Sequence, residues 1–80
     1  MNEAIKLLET LGFTLIEVNS DTNSFYMNKF ISDVYQIDAQ GSGDCEIIRI
    51  RLIGKKHVED YKDCGLETMV NKIKEWESEY

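Results

Sequence analysis

His57, Asp60 and Cys64 are residue types from which a nucleophilic site is built. A thiol attacks as its thiolate, a neighbouring imidazole takes the proton, and a carboxylate orients the imidazole. No catalytic motif surrounds these three, so they read as an exposed loop carrying a reduced thiol. With Cys45 they would offer a metal four ligands, but the spacing 45, 57, 60, 64 fits no common zinc pattern. Residues 19–24 lack the glycine and terminal glutamate of a calcium loop. Gly41-Ser42-Gly43-Asp44 lacks the lysine and following helix of a phosphate loop, so it reads as a turn. Neither catalysis nor a metal nor a cofactor is expected.

Charge offers two binding surfaces. Arg49, Arg51, Lys55 and Lys56, with His57, make a basic stretch in an otherwise acidic chain. Tyr26 or Tyr35 beside it would supply a stacking surface for nucleic acid or phosphate. No nucleic-acid-binding signature accompanies the patch, and the acidity around it weakens phosphate attraction. Arg49 and Arg51 are therefore expected to pair with carboxylates across a sheet face. The second surface is acidic. Glu59, Asp60 and Asp63 precede Glu67, Glu75, Glu77 and Glu79, and together they form a carboxylate array suited to a basic protein surface.

The elements that position these groups follow from periodicity. Residues 2–11 read as a helix with Asn2 as cap, Ile5, Leu8 and Leu11 as the apolar stripe, and Gly12 as the terminating residue. Residues 13–18 alternate as a strand, and 19–24 are a polar turn. Residues 25–40 read as one long strand with a bulge near Ser32-Asp33. After the Gly41–Asp44 connector, Cys45 to Ile53 is a strand with Ile48, Ile50 and Leu52 on one face and Arg49, Arg51 and Ile53 on the other. Residues 58–65 read as irregular. Leu66 to Glu79 is a helix carrying Leu66, Met69, Val70, Ile73 and Trp76 toward the sheet, with Asp63 or Gly65 as its N-cap. Tyr80 is expected to be exposed. The resulting fold is α+β, a three-stranded antiparallel sheet with both helices on one face in the order αβββα. The uncovered face would then show Phe30 and Ile47 as an apolar patch, a surface for a homodimer.

Size and composition bound the rest. Eighty residues form one domain, 1–80, and a core one side chain thick leaves little room for a buried ligand. A net charge of -6 argues against nucleic-acid binding driven by bulk charge. The opening residues lack the basic and long apolar stretches of a secretory signal, and no apolar run is long enough to span a membrane. The cytoplasm is the expected location, with Cys45 and Cys64 reduced.

The Glu3–Leu11 helix, the Gly12-Phe13-Thr14-Leu15-Ile16 strand and the polar Asn19–Ser24 hairpin, with the acidic balance, resemble the layout of small phage-borne inhibitors of the anti-CRISPR kind. The resemblance covers most of the chain in layout and charge, and it carries over no individual residue. It implies a protein that blocks a nucleic-acid enzyme of the host cytoplasm through carboxylates. The expected function is a non-enzymatic protein-binding module of inhibitor type. The alternatives are a nucleic-acid or phosphate binder on the basic strand and a homo-oligomeric structural domain.

Overall fold

A computed structural model describes residues 3–22, 24–42 and 48–80. Seven elements follow in the order α1 (Glu3–Thr10), β1 (Thr14–Asn19), β2 (Ser24–Phe30), β3 (Gln36–Ser42), β4 (Ile48–Ile53), β5 (Val58–Cys64) and α2 (Leu66–Glu79). The strands form one antiparallel meander in the order β1-β2-β3-β4-β5.

Register determines which side chains share a face. Leu15, Met27, Ala39, Ile50 and Tyr61 lie opposite one another across all five strands. Their row faces the helices, and Met27, Ala39 and Ile50 are fully buried. Helix α1 contributes Ala4, Ile5 and Leu8 to the same core, and α2 contributes Met69, Ile73 and Trp76. One cluster therefore takes apolar side chains from both helices and from a single face of the sheet. The opposite face carries the row Thr14, Asn28, Asp38, Arg51 and Asp60 and, among the described residues, has no helix over it.

Gly12 ends α1 with φ +94°. Its N–H donates to the Glu9 carbonyl at 3.0 Å, and the Phe13 N–H donates to the Leu8 carbonyl at 3.0 Å. That pairing is the Schellman termination, which needs the left-handed residue that glycine supplies cheaply. Lys29 Nζ then donates to the Leu11 carbonyl at 2.8 Å and to Glu77 at 2.9 Å. One β2 side chain so ties the end of α1 to the end of α2.

The three-stranded sheet expected from periodicity is overturned by two additional strands. Residues 25–40 do not form one bulged strand. They are the hairpin β2–β3, turned by Ser32, whose Oγ accepts the N–H groups of Val34 and Tyr35 at 3.4 and 3.2 Å. The Ile31 N–H closes the same turn on the Tyr35 carbonyl at 3.1 Å. The bulges fall elsewhere, at Leu15/Glu17 in β1 and at Ile48/Ile50 in the β4–β5 pairing. Residues 58–64, expected to be irregular, form edge strand β5. Its charges suit an edge, because one side of it meets water and resists further pairing. Of the expected connector, Gly41 and Ser42 belong to β3. Gly65, in extended conformation, is the α2 N-cap and makes no side-chain cap bond. Tyr80 is half-buried and packs on the core, where exposure was expected. The Asn2 cap, Gly43, Asp44, Cys45 and Ile47 lie outside the described residues. Among the described residues no helix is long and apolar enough to cross a membrane.

Candidate functional site

The uncovered sheet face holds an interlocked set of charges. Arg51 grips Asp38 with two bonds, Nε to Oδ1 at 3.0 Å and Nη2 to Oδ2 at 2.5 Å. The Tyr26 hydroxyl donates to Asp38 Oδ2 at 3.1 Å. Asp38 points away from the apolar core yet is 0% exposed, because these two long side chains close over it. Next to this pair, Arg49 grips Asp60 in the same way, at 3.0 and 2.6 Å. The planar guanidinium matches a carboxylate's two oxygens, so each pair is fixed in orientation as well as charge.

The electrostatics agree with the geometry. Hydrogen bonds to Asp38 and Asp60 raise the pKa values of Arg51 and Arg49. Arg49 in turn holds Asp60 below its ordinary value. The Tyr26 phenol is pushed up, first by burial and then by the Asp38 charge. The pairing expected for Arg49 and Arg51 is thus present, and each guanidinium charge is matched by a carboxylate. Of the basic stretch, Lys55 and Lys56 remain exposed in the β4–β5 turn.

A second cluster sits where β5 begins and α2 ends. His57 Nε2 lies 3.0 Å from Glu59 Oε2 and 3.4 Å from the Tyr80 hydroxyl. The Tyr80 ring stacks on His57 at 5.7 Å and meets Tyr35 at 4.8 Å. The hydrogen bond with His57 holds Glu59 below the ordinary carboxylate value, with Lys72 and Trp76 as lesser contributors.

Because Glu59 and Asp60 both have lowered pKa values, their stabilising effect is present above their ordinary values of 4.5 and 3.8 and is lost as pH falls through the lowered ones. Thermal melts should therefore show a decline below about pH 4.5. Glu59→Gln combined with Asp60→Asn should flatten that decline. An unaltered slope in the double variant would show that other groups cause it.

The structure disperses the acidic array. Glu59 faces the helices, whereas Asp60, its neighbour, faces the open side with Arg49. Glu75 pairs with Lys72 at 3.2 Å and Glu77 with Lys29 at 2.9 Å. Glu67 and Glu79 are exposed on α2, and the Asp63 side chain lies outside the described residues. Nor are His57, Asp60 and Cys64 brought together. His57 and Cys64 stand seven residues apart along extended chain, about 23 Å. Cys64 is buried toward the helices with Sγ 3.5 Å from the Tyr61 carbonyl. Among the described residues no three His, Cys, Asp or Glu side chains are placed to hold a metal ion.

Sequence reasoning missed Asp38 and its lid. The signal available was an aspartate at mid-strand, opposite an arginine in the alternation of the next strand. It also placed only one of the exposed apolar residues. Phe30 is 71% exposed, as expected of an open-face patch, but its companions are Val34 at 52% and Val58 at 61%. Two hollows mark the open face. One of about 240 Å³ lies among Phe30, Val34, Tyr35, Ile53 and Lys55. The other, of about 560 Å³, has a mixed lining that includes Glu17, Phe25, Tyr26, Ile48, Arg49 and Lys62. No family model, curated protein or solved structure matches the chain.

Proposed function

We propose that this protein is a non-enzymatic, cytoplasmic protein-binding module that docks its helical side on a basic surface of another protein. The supporting observation is the segregation of charge between the two sides. On the open face Glu17, Asp38 and Asp60 are matched by Arg49, Arg51 and Lys62. The helical side carries Glu3, Glu9, Glu59, Glu67, Glu75, Glu77 and Glu79 against Lys6, Lys29, Lys72 and Lys74. The excess negative charge of the described elements therefore lies over α1 and α2, where it steers a basic partner. An inhibitor of the phage type, covering the basic channel of a nucleic-acid-binding protein, is the form of this reading that the resemblance in layout favours.

The test is capture from a lysate of the source organism, or its host, at low and high salt. The wild-type protein should retain one stoichiometric protein that high salt releases. Glu67→Lys with Glu79→Lys, both exposed, should reduce that retention severalfold while the circular dichroism spectrum is unchanged. Equal retention by the variant, or nothing released by salt, refutes the proposal. A labelled oligonucleotide should not shift at low salt, because Arg49 and Arg51 are already engaged by Asp60 and Asp38.

A further inference from the structure

We infer that the open sheet face is a homodimer interface, closed by a second copy of this chain about a two-fold axis running along β3. This inference is independent of the docking proposal, which uses the opposite side of the molecule.

Three observations favour a second copy over a foreign partner. The first is charge. A chain of net charge -6 repels its own kind, yet the open face is electrically balanced. Facing these sides together puts the acidic helices at the two outer surfaces of the dimer, as far apart as the molecule permits. The second is self-complementarity. A two-fold axis along the central strand sets β2 over the partner's β4 and β1 over the partner's β5, as any isologous interface pairs unlike positions. At the apolar end, Phe30 of β2 then meets the partner's Ile53 and the partner's Val58. These side chains occupy one row with Gln36 in the sheet register. At the polar end, Glu17 of β1 meets the partner's Lys62, and the same contact recurs by symmetry.

The third observation is shape. The hollow of about 560 Å³ spans from Glu17 on β1 to Lys62 on β5, so the face is cupped at that end. When two cupped faces meet, their rims touch, and the rims here carry the opposite charges. Within one copy Glu17 and Lys62 are separated by four strand spacings, up to about 19 Å, so they do not satisfy each other. Five strands of six or seven residues give a footprint of roughly 19 by 20 Å. That is the area of a small interface, and it predicts a dimer that dissociates on dilution.

Sedimentation velocity on the purified full chain, from about 10 µM to about 1 mM, reads the equilibrium directly. The wild-type protein should pass from monomer to dimer across this range. Phe30→Asp should remain monomeric with an unchanged circular dichroism spectrum, since Phe30 is too exposed to support the fold. Glu17→Lys should weaken the dimer by about tenfold or more by setting like charges at both rims. Adding Lys62→Glu should restore the wild-type dissociation constant. A monomer at all concentrations overturns the inference, as does a dimer indifferent to Phe30→Asp. A dimer in which Lys62→Glu fails to rescue Glu17→Lys overturns the stated axis. None of these outcomes bears on capture through the helical side.

Discussion

Arg51→Met should cost about 3 kcal/mol of folding stability, and Arg49→Met should cost far less. The two arginines make the same two-bond contact with an aspartate, two residues apart on the same face of β4. What separates them is the solvation of the carboxylate. Asp60 keeps 30% of its side-chain surface in water and Asp38 keeps none. Remove Arg49 and water takes over its bonds to Asp60. Remove Arg51 and Asp38 keeps, among the described residues, only the Tyr26 hydroxyl as a hydrogen-bond partner, and a buried charge loses its counterion. Methionine keeps the apolar stem of Arg51 and removes the guanidinium that covers Asp38, so the variant takes away the charge and the cap together. For a chain of this size the loss lowers the melting temperature by about 12 °C or more. Converting Asp38→Asn in the Arg51→Met background should recover most of it, because the uncompensated charge is gone. Urea denaturation of the wild type, Arg51→Met, Asp38→Asn and the double variant measures the coupling. A loss for Arg51→Met no larger than for Arg49→Met would mean that water reaches Asp38 despite its cover.

Trp76→Ala should be the most damaging single change in the core, at about 3–5 kcal/mol. Three buried residues, Met69, Ile73 and Trp76, hold α2 on the sheet, and the tryptophan is the largest. Its ring lies 5.7 Å from that of Tyr61, which also underlies the Lys72 ammonium at 4.8 Å. Truncation therefore empties the space under α2 and undoes the packing of β5 beneath it. Trp76→Phe should cost much less. Nε1 of Trp76 is buried without a hydrogen-bond partner among the described residues, so phenylalanine removes an unsatisfied donor as well as volume. Glu59 feels that N–H electrostatically, but the geometry falls short of a bond. Unfolding curves for both variants provide the comparison. Equal losses would show that the Nε1 group contributes to stability after all.

The acidic residues illustrate why a linear reading of charge misleads. Glu59 and Asp60 are adjacent in the chain, and adjacency in a strand means opposite faces. Treating residues 58–65 as irregular hid that alternation, so seven carboxylates looked like one surface. In the folded protein the six whose side chains are described split between an ion-paired sheet face, the seam of β5 with α2, and the exposed side of α2.

Much of the architecture was legible in the local sequence. The apolar stripes of α1 and α2, Gly12 as terminator, and the alternation of Ile48, Ile50 and Leu52 each depend on contacts a few residues apart. So does the outward placement of Arg49 and Arg51. Strand number was not legible, because the β2–β3 turn uses Ser32 in place of glycine or proline, and β5 is an edge strand whose polar residues need not be buried. The polar network on the open face was out of reach for a related reason. Asp38 meets Arg51 only through the β3–β4 register and Tyr26 only through the β2–β3 register. Periodicity reports which side of a strand a residue faces, but which residues stand beside it is decided when the strands pair.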